Sequence, residues 1–178
     1  MNTEDAASLL ATAISTRGGT WADFGAGEGT FTRALAELLG PESRIYAIDR
    51  DRIAVAALRR WAESLASTVI PVRADFSRPL AFHDIGAAPL DGILRANALH
   101  FVRDADVVLT RLVSALKPGG TVVLIEYDRR AANRWVPYPI PLSRLAALAH
   151  AAGLSEPEIT ATRPSAYGGQ LYVAKATG

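Results

Sequence analysis

The chain of 178 residues contains no cysteine, three histidines and one methionine. Without cysteine there can be no disulfide scaffold, thiolate metal site, iron–sulfur cluster or thiol nucleophile. His83, His100 and His150 lie far apart and form no metal-binding spacing such as HExxH. No protein-bound metal is expected, so any cofactor should be organic. Apolar runs never approach the roughly 18 residues of a membrane span. The amino end, Met1-Asn2-Thr3-Glu4-Asp5, is acidic where a secretory signal would be basic, so a cytoplasmic protein with no membrane partner is the expectation. Lys117 and Lys175 are the only lysines, and a net charge of +1 creates no field to draw in nucleic acid.

What is present is the composition of a folded domain. Hydrophobic residues make up 49% and charged residues 21%, too apolar and too nearly neutral for a disordered chain. The length suits one domain spanning 1–178 with a real core. Short apolar runs, Gly or Asp turns and helical stretches alternate, which predicts an α/β domain with a largely parallel sheet. Within residues 1–19 a leading helix is expected over 3–16, capped by Thr3 and ended at Gly18-Gly19. Strands are expected at Thr20–Phe24, Arg44–Ile48, Thr68–Val72, Leu90–Leu94 and Thr121–Tyr127. Helices are expected at Thr30–Leu39, Arg52–Ala66 and Ala105–Leu116, the last ended by Lys117-Pro118-Gly119-Gly120. The segment 128–141 carries three prolines close together and reads as an ordered loop. A helix should follow over Pro141–Ala152, then strands at Glu158–Arg163 and Gln170–Ala176. The gap between these two is too short for a helical crossover, so they should be antiparallel.

The most informative segment is Asp23-Phe24-Gly25-Ala26-Gly27-Glu28-Gly29, after the first strand and before a helix. Glycines allow close backbone approach to a ligand, and the helix start offers free N–H groups to an anion. The spacing is GxGxG, with Thr30 where the dinucleotide fingerprint GxGxxG would place its last glycine. Asp49 ends the second strand, Asp75-Phe76 follows the third, and Lys117-Pro118-Gly119-Gly120 precedes the most apolar strand.

Taken in this order, with the closing hairpin, the sequence over residues 20–176 resembles class I S-adenosylmethionine-dependent methyltransferases. The resemblance implies a three-layer αβα sandwich around a seven-stranded, mostly parallel sheet with a carboxyl-terminal antiparallel hairpin. It implies S-adenosylmethionine as cofactor. Asp23 and the backbone of Gly25, Gly27 and Gly29 would contact its amino-acid end. Asp49 would hold the ribose, Arg50 would lie beside the adenine, and Asp75 and Phe76 would fix the adenine. Asn97 joins this set, because in the family the end of the fourth strand faces the sulfonium methyl. The GxGxG spacing, Asp75-Phe76 and the hairpin speak against a nicotinamide-dependent oxidoreductase.

The acceptor is a separate question. Methylases of exocyclic base amines commonly carry Asn-or-Asp-Pro-Pro-aromatic after the fourth strand, whereas this chain has Asn97-Ala98-Leu99-His100, nearer to small-molecule enzymes. Cytosine-C5 methylation needs a cysteine. The expectation is methyl transfer to a small molecule at oxygen, nitrogen or activated carbon, the alternative being a non-catalytic S-adenosylmethionine-binding sensor or partner subunit. His100 is the candidate general base. Tyr127, Asp128, Arg129, Arg130, Arg134, Trp135 and Tyr138, in and beside the 128–141 loop, could line an acceptor pocket. Little sequence lies outside the cofactor core, so a homodimer could complete that pocket.

Overall fold

A computed structural model of the chain describes residues 1–63, 69–79, 89–128, 131–166 and 168–178. Seven strands form one sheet: β1 (Gly19–Phe24), β2 (Ser43–Asp49), β3 (Val69–Arg73), β4 (Leu90–Ala96), β5 (Leu116–Asp128), β6 (Glu158–Pro164) and β7 (Gln170–Thr177). Their spatial order is β3-β2-β1-β4-β5-β7-β6. The pairs β1–β2, β2–β3, β1–β4 and β4–β5 are parallel, while β7 runs antiparallel to both β5 and β6. The expected architecture and its antiparallel hairpin are therefore observed. The order reverses between β1 and β4, and a crevice opens there beyond the strand ends.

Among the described residues five α-helices cover the two faces: α1 (Thr3–Leu10), α2 (Thr30–Leu39), α3 (Arg52–Glu63), α4 (Ala105–Val113) and α5 (Leu142–Ala151). Strand residues alternate between the faces, and the buried residues divide accordingly. Leu9, Leu35 and Leu58 pack with Trp21, Ile45 and Leu94 under α1, α2 and α3. Val108, Leu112, Leu145 and Leu148 pack with Phe24, Ile48, Ile93 and Leu124 under α4 and α5. Burial of these aliphatic side chains, each contributing roughly 1.5–3 kcal/mol, holds the layers together.

Two boundaries differ from expectation. Asn2, not Thr3, caps α1, its Oδ1 accepting the Asp5 amide at 2.8 Å. That helix stops at Leu10 instead of running to residue 16, because the chain must turn to bury Ala13 and Ile14 before β1. Likewise α4 ends at Val113, and Lys117–Gly120 do not terminate it. They form an irregularity within β5, whose register with β4 jumps from Leu90–Leu116 to Gly92–Thr121. Lys117 Nζ reaches Asp91 Oδ1 at 2.7 Å and fastens this bulge to β4. The expected end of the third helix, Thr68, His83, Arg129 and Arg130 lie outside the described residues.

Candidate functional site

The glycine-rich turn follows β1 because the parallel sheet must pass its chain directly into α2. Gly25 has φ +90°, and a Cβ there would stand 2.5 Å from the Cβ of Ala98 and 3.4 Å from the Phe76 ring. Only glycine lets the loops after β1, β3 and β4 meet this closely. Gly29 caps α2 in the left-handed conformation, φ 90°. Gly27 donates its amide to Asp49 Oδ2 at 2.8 Å, and no atom lies within 4 Å of where its side chain would begin. The outer side of the loop is thus open to a ligand.

Two lobes of one cleft flank this turn. The larger, about 680 Å³, is lined by Gly27, Asp49, Arg50, Asp75 and Phe76, with Phe101, Val102, Arg103 and Tyr138. The smaller, about 400 Å³, is lined by Asp23, Glu28, Thr30 and Tyr127, with Met1, Asp5, Arg163, Ser165 and Ala166. Gly25 and Asn97 border both. Of the sequence-selected residues, Asp23, Gly25, Gly27, Asp49, Arg50, Asp75, Phe76, Asn97, Tyr127 and Tyr138 are brought together here.

Each acid is held differently. Asp49 accepts the amides of Gly27 and Asp51, both at 2.8 Å, one per oxygen, which leaves acceptor capacity on each. Asp75 accepts Ser77 Oγ at 2.6 Å and the Ser77 amide at 3.0 Å. That hydroxyl bond holds its carboxyl below the usual carboxylate range. Asp23 is buried at the end of β1 and takes one hydrogen bond, from Thr32 Oγ1 at 2.7 Å. Burial pushes its carboxyl up to about 7, and its Oδ1 has no partner among the described residues. Asn97 adopts φ 52°, rare outside glycine, and its Oδ1 also lacks a partner. Backbone strain and an orphaned oxygen at Asn97 thus fall on the border between the lobes, and the orphaned oxygen of Asp23 falls on the smaller one.

His100 sits on the 3-10 turn Leu99–Phe101 and is 2% exposed. Its Nδ1 lies 2.6 Å from Glu126 Oε2, and Glu126 Oε1 accepts the amides of Leu99 at 2.9 Å and His100 at 3.2 Å. The ring packs against Phe101 and Tyr127 at 4.4 and 5.7 Å and lines neither lobe. Asp128 accepts the Leu142 amide at 3.0 Å and anchors the start of α5. The 128–141 segment is fastened by buried Val136 and Ile140, with Tyr172 Oη donating to the Ile140 carbonyl at 2.8 Å. Arg134 and Trp135 line neither lobe. Trp135 is 64% exposed, with the Arg134 guanidinium 4.5 Å from its ring centroid.

Sequence reasoning missed Glu126 as a partner of His100, buried Arg95, and the contribution of Met1, Asp5 and Arg163–Ala166. A charge inside an apolar strand was the available signal for the first two: Arg95 in Ile93–Ala96, and Glu126 after Leu124-Ile125. The third has no local signal, since Asp5 and Arg163 meet at 3.3 Å across nearly the whole chain.

A family model described as "Methyltransferase domain" matches residues 22–122. A stretch of 79 residues is 38% identical to ribosomal RNA small subunit methyltransferase H of Thermomicrobium roseum, covering 43% of this chain and 24% of that protein. The chain thus spans about a quarter of the length of that curated relative. Among solved structures, a 1,6-didemethyltoxoflavin-N1-methyltransferase of Burkholderia thailandensis, holding 1,6-didemethyltoxoflavin and S-adenosylhomocysteine, superposes with a TM-score of 0.76. Its identity is 23%, over 98% of this chain and 77% of that one. The [4+2]-cyclase SpnF superposes with a TM-score of 0.75 at 16% identity, over 98% and 80%. At these identities the two likenesses are of fold, and the same fold carries more than one chemistry. Among the described residues no helix is long and apolar enough to cross a membrane.

Proposed function

The chain belongs to the methyltransferase-domain family, and from that premise we propose that it binds S-adenosylmethionine in the two-lobed cleft and passes its methyl group to a small molecule. The carrying observation is that Gly25, Asp49, Asp75, Phe76 and Asn97, from the ends of four parallel strands, border one cleft. The donor set fits this cofactor. The free acceptor capacity of Asp49 suits a ribose diol, Phe76 offers a face to a purine, and Asp75 accepts an exocyclic amine. Asp23, with its orphaned Oδ1, leaves a buried polar group on the smaller-lobe side for the cofactor's amino-acid end to pair with.

When bound, S-adenosylmethionine supplies a methyl group on a positively charged sulfur. The protein's own work is then to hold an acceptor in line and keep water out. Asn97 and Tyr127 border the space for that acceptor, and a lobe of about 400 Å³ suits a small molecule. Glu126 Oε2 lies 2.6 Å from His100 Nδ1, a partner that favours a proton on Nδ1 and leaves Nε2 to face an acceptor's proton. His100 is buried and lines neither lobe. His100→Gln therefore separates two roles. A tenfold loss of kcat with a lost acidic limb assigns it proton transfer, and an unchanged pH profile assigns it loop anchoring.

The direct test is calorimetry with S-adenosylmethionine and S-adenosylhomocysteine, followed by methyl transfer from labelled cofactor to a panel of phenols, amines and a ribosomal RNA fragment. Binding and transfer to a small molecule are expected. No binding at millimolar concentration overturns the cofactor assignment, and preferential labelling of RNA overturns the acceptor class. Binding without any transfer favours a cofactor-binding module.

A further inference from the structure

Arg95 is the penultimate residue of β4 and is wholly buried, yet Nε, Nη1 and Nη2 have no hydrogen-bond partner among the described residues. An unpaired buried guanidinium is costly, and an apolar residue of similar volume is commonly better tolerated. What surrounds it explains its presence. Its guanidinium carbon lies 3.9 Å from the centroid of the Phe76 ring. The charges facing it are Glu126 on β5 and, more weakly, Asp23 on β1. Desolvation pulls its pKa down only to about 10, so it stays charged at neutral pH.

We propose that Arg95 is a positioning residue that links the two walls of the cleft: it backs the Phe76 ring from beneath and supplies the counter-charge for Glu126. Phe76 borders the larger lobe, and its backbone carbonyl is held from the other side by Arg111 Nη2 at 2.6 Å. Glu126 gathers the Leu99 and His100 amides and the His100 ring. That turn sets the placement of Asn97 and Ala98, and Ala98 is the residue pressed against Gly25. One cation therefore touches the aromatic wall and steadies the carboxylate behind the opposite loop. The ligand part of this inference rests on the cofactor-binding reading above; the Glu126–His100 part does not.

The test uses the full chain with Arg95→Met, which removes the charge at similar volume, and Arg95→Lys, which keeps it. Three readouts are taken: thermal midpoint, affinity for adenosine and S-adenosylhomocysteine, and 15N signals of the His100 ring and amide. The His100 signals are assigned by their loss in His100→Gln. Besides Arg95, Tyr172 faces Glu126 and the Tyr127 ring packs on His100, so spectra are compared at one fixed pH. For Arg95→Met the expectation is an unchanged or raised midpoint, about tenfold weaker ligand binding and displaced His100 signals. Arg95→Lys should return the His100 signals toward wild type and recover binding only in part, since an ammonium lacks the planar face. Unchanged His100 signals in Arg95→Met overturn the inference whether or not ligand binds. So does a midpoint loss in both variants that accounts for all lost affinity. If the wild type binds neither ligand, the cofactor reading fails, and the His100 signals still decide the coupling.

Discussion

The two lobes of the cleft are built by opposite means. In the larger lobe the acids are tied down locally: Asp49 by the Gly27 and Asp51 amides, and Asp75 by Ser77 two residues away. The smaller lobe draws on distant segments, with Asp5 of α1 meeting Arg163 of β6, and it borders the two orphaned oxygens of Asp23 and Asn97. The first is arranged before any ligand arrives; the second has unmet polar demand. Under the proposed function, the first would receive the invariant nucleoside and the second would be shaped by the acceptor.

The largest expected effect concerns Asp23. Its folded pKa of about 7 lies above the usual 3.8, so between these values the folded apoprotein holds a proton that the unfolded chain has released. Stability should be greatest below pH ~4 from this group and fall as pH rises through about 7, by up to roughly 4 kcal/mol. Asp23→Asn should flatten that decline in urea titrations run from pH 4 to 8. An equal slope in both proteins would remove the claim of unmet demand. Next in size is Gly25→Ala. A left-handed non-glycine residue and a clash with Ala98 together should cost roughly 3 kcal/mol and abolish S-adenosylhomocysteine binding, read by denaturant midpoint and calorimetry. Retained affinity would mean that the larger lobe is less rigid than its hydrogen bonds imply.

Asp49→Ala should weaken binding of S-adenosylhomocysteine by roughly 1–3 kcal/mol without a matching loss in thermal midpoint. An unchanged affinity would take Asp49 out of the ligand's reach. The smallest effect is expected from Asp5→Ala. The pair with Arg163 is about two-fifths exposed, so stability should change by less than ~1 kcal/mol. The acceptor KM should nevertheless rise while cofactor affinity holds. If both constants move together, the lobes are not independent.

The same division governs what could be read from the chain. Asp49 ends a strand and Asn97 and Asp75 follow one within two residues, and strand ends follow from apolar runs bounded by polar or turn residues. The hairpin was legible because too few residues separate β6 and β7 for a crossover. The end of α1 was not, because it depends on which side chains β1 and α2 leave room to bury. The smaller lobe was not legible either. Asp5 and Arg163 are ordinary surface charges until the fold sets them 3.3 Å apart. Glu126 lies in the most apolar strand, which marks it as unusual, but its three hydrogen bonds to the Leu99–His100 turn depend on the pairing of β4 with β5. His100 stood out as a histidine, but its burial followed only from the tertiary packing of Phe101, Tyr127 and the turn.

The placement of β7 has a practical consequence. Because it runs against β5, it carries the chain back to the rim where β5 begins, and Gly178 closes there on Gly119 and Gly120 through bonds of 2.7 and 2.9 Å. Met1, by contrast, stands at the mouth of the smaller lobe. A label, surface tether or fused domain joined at Gly178 would leave the molecule from the rim opposite the cleft. The same addition at Met1 would crowd the smaller lobe, where the proposed acceptor would bind.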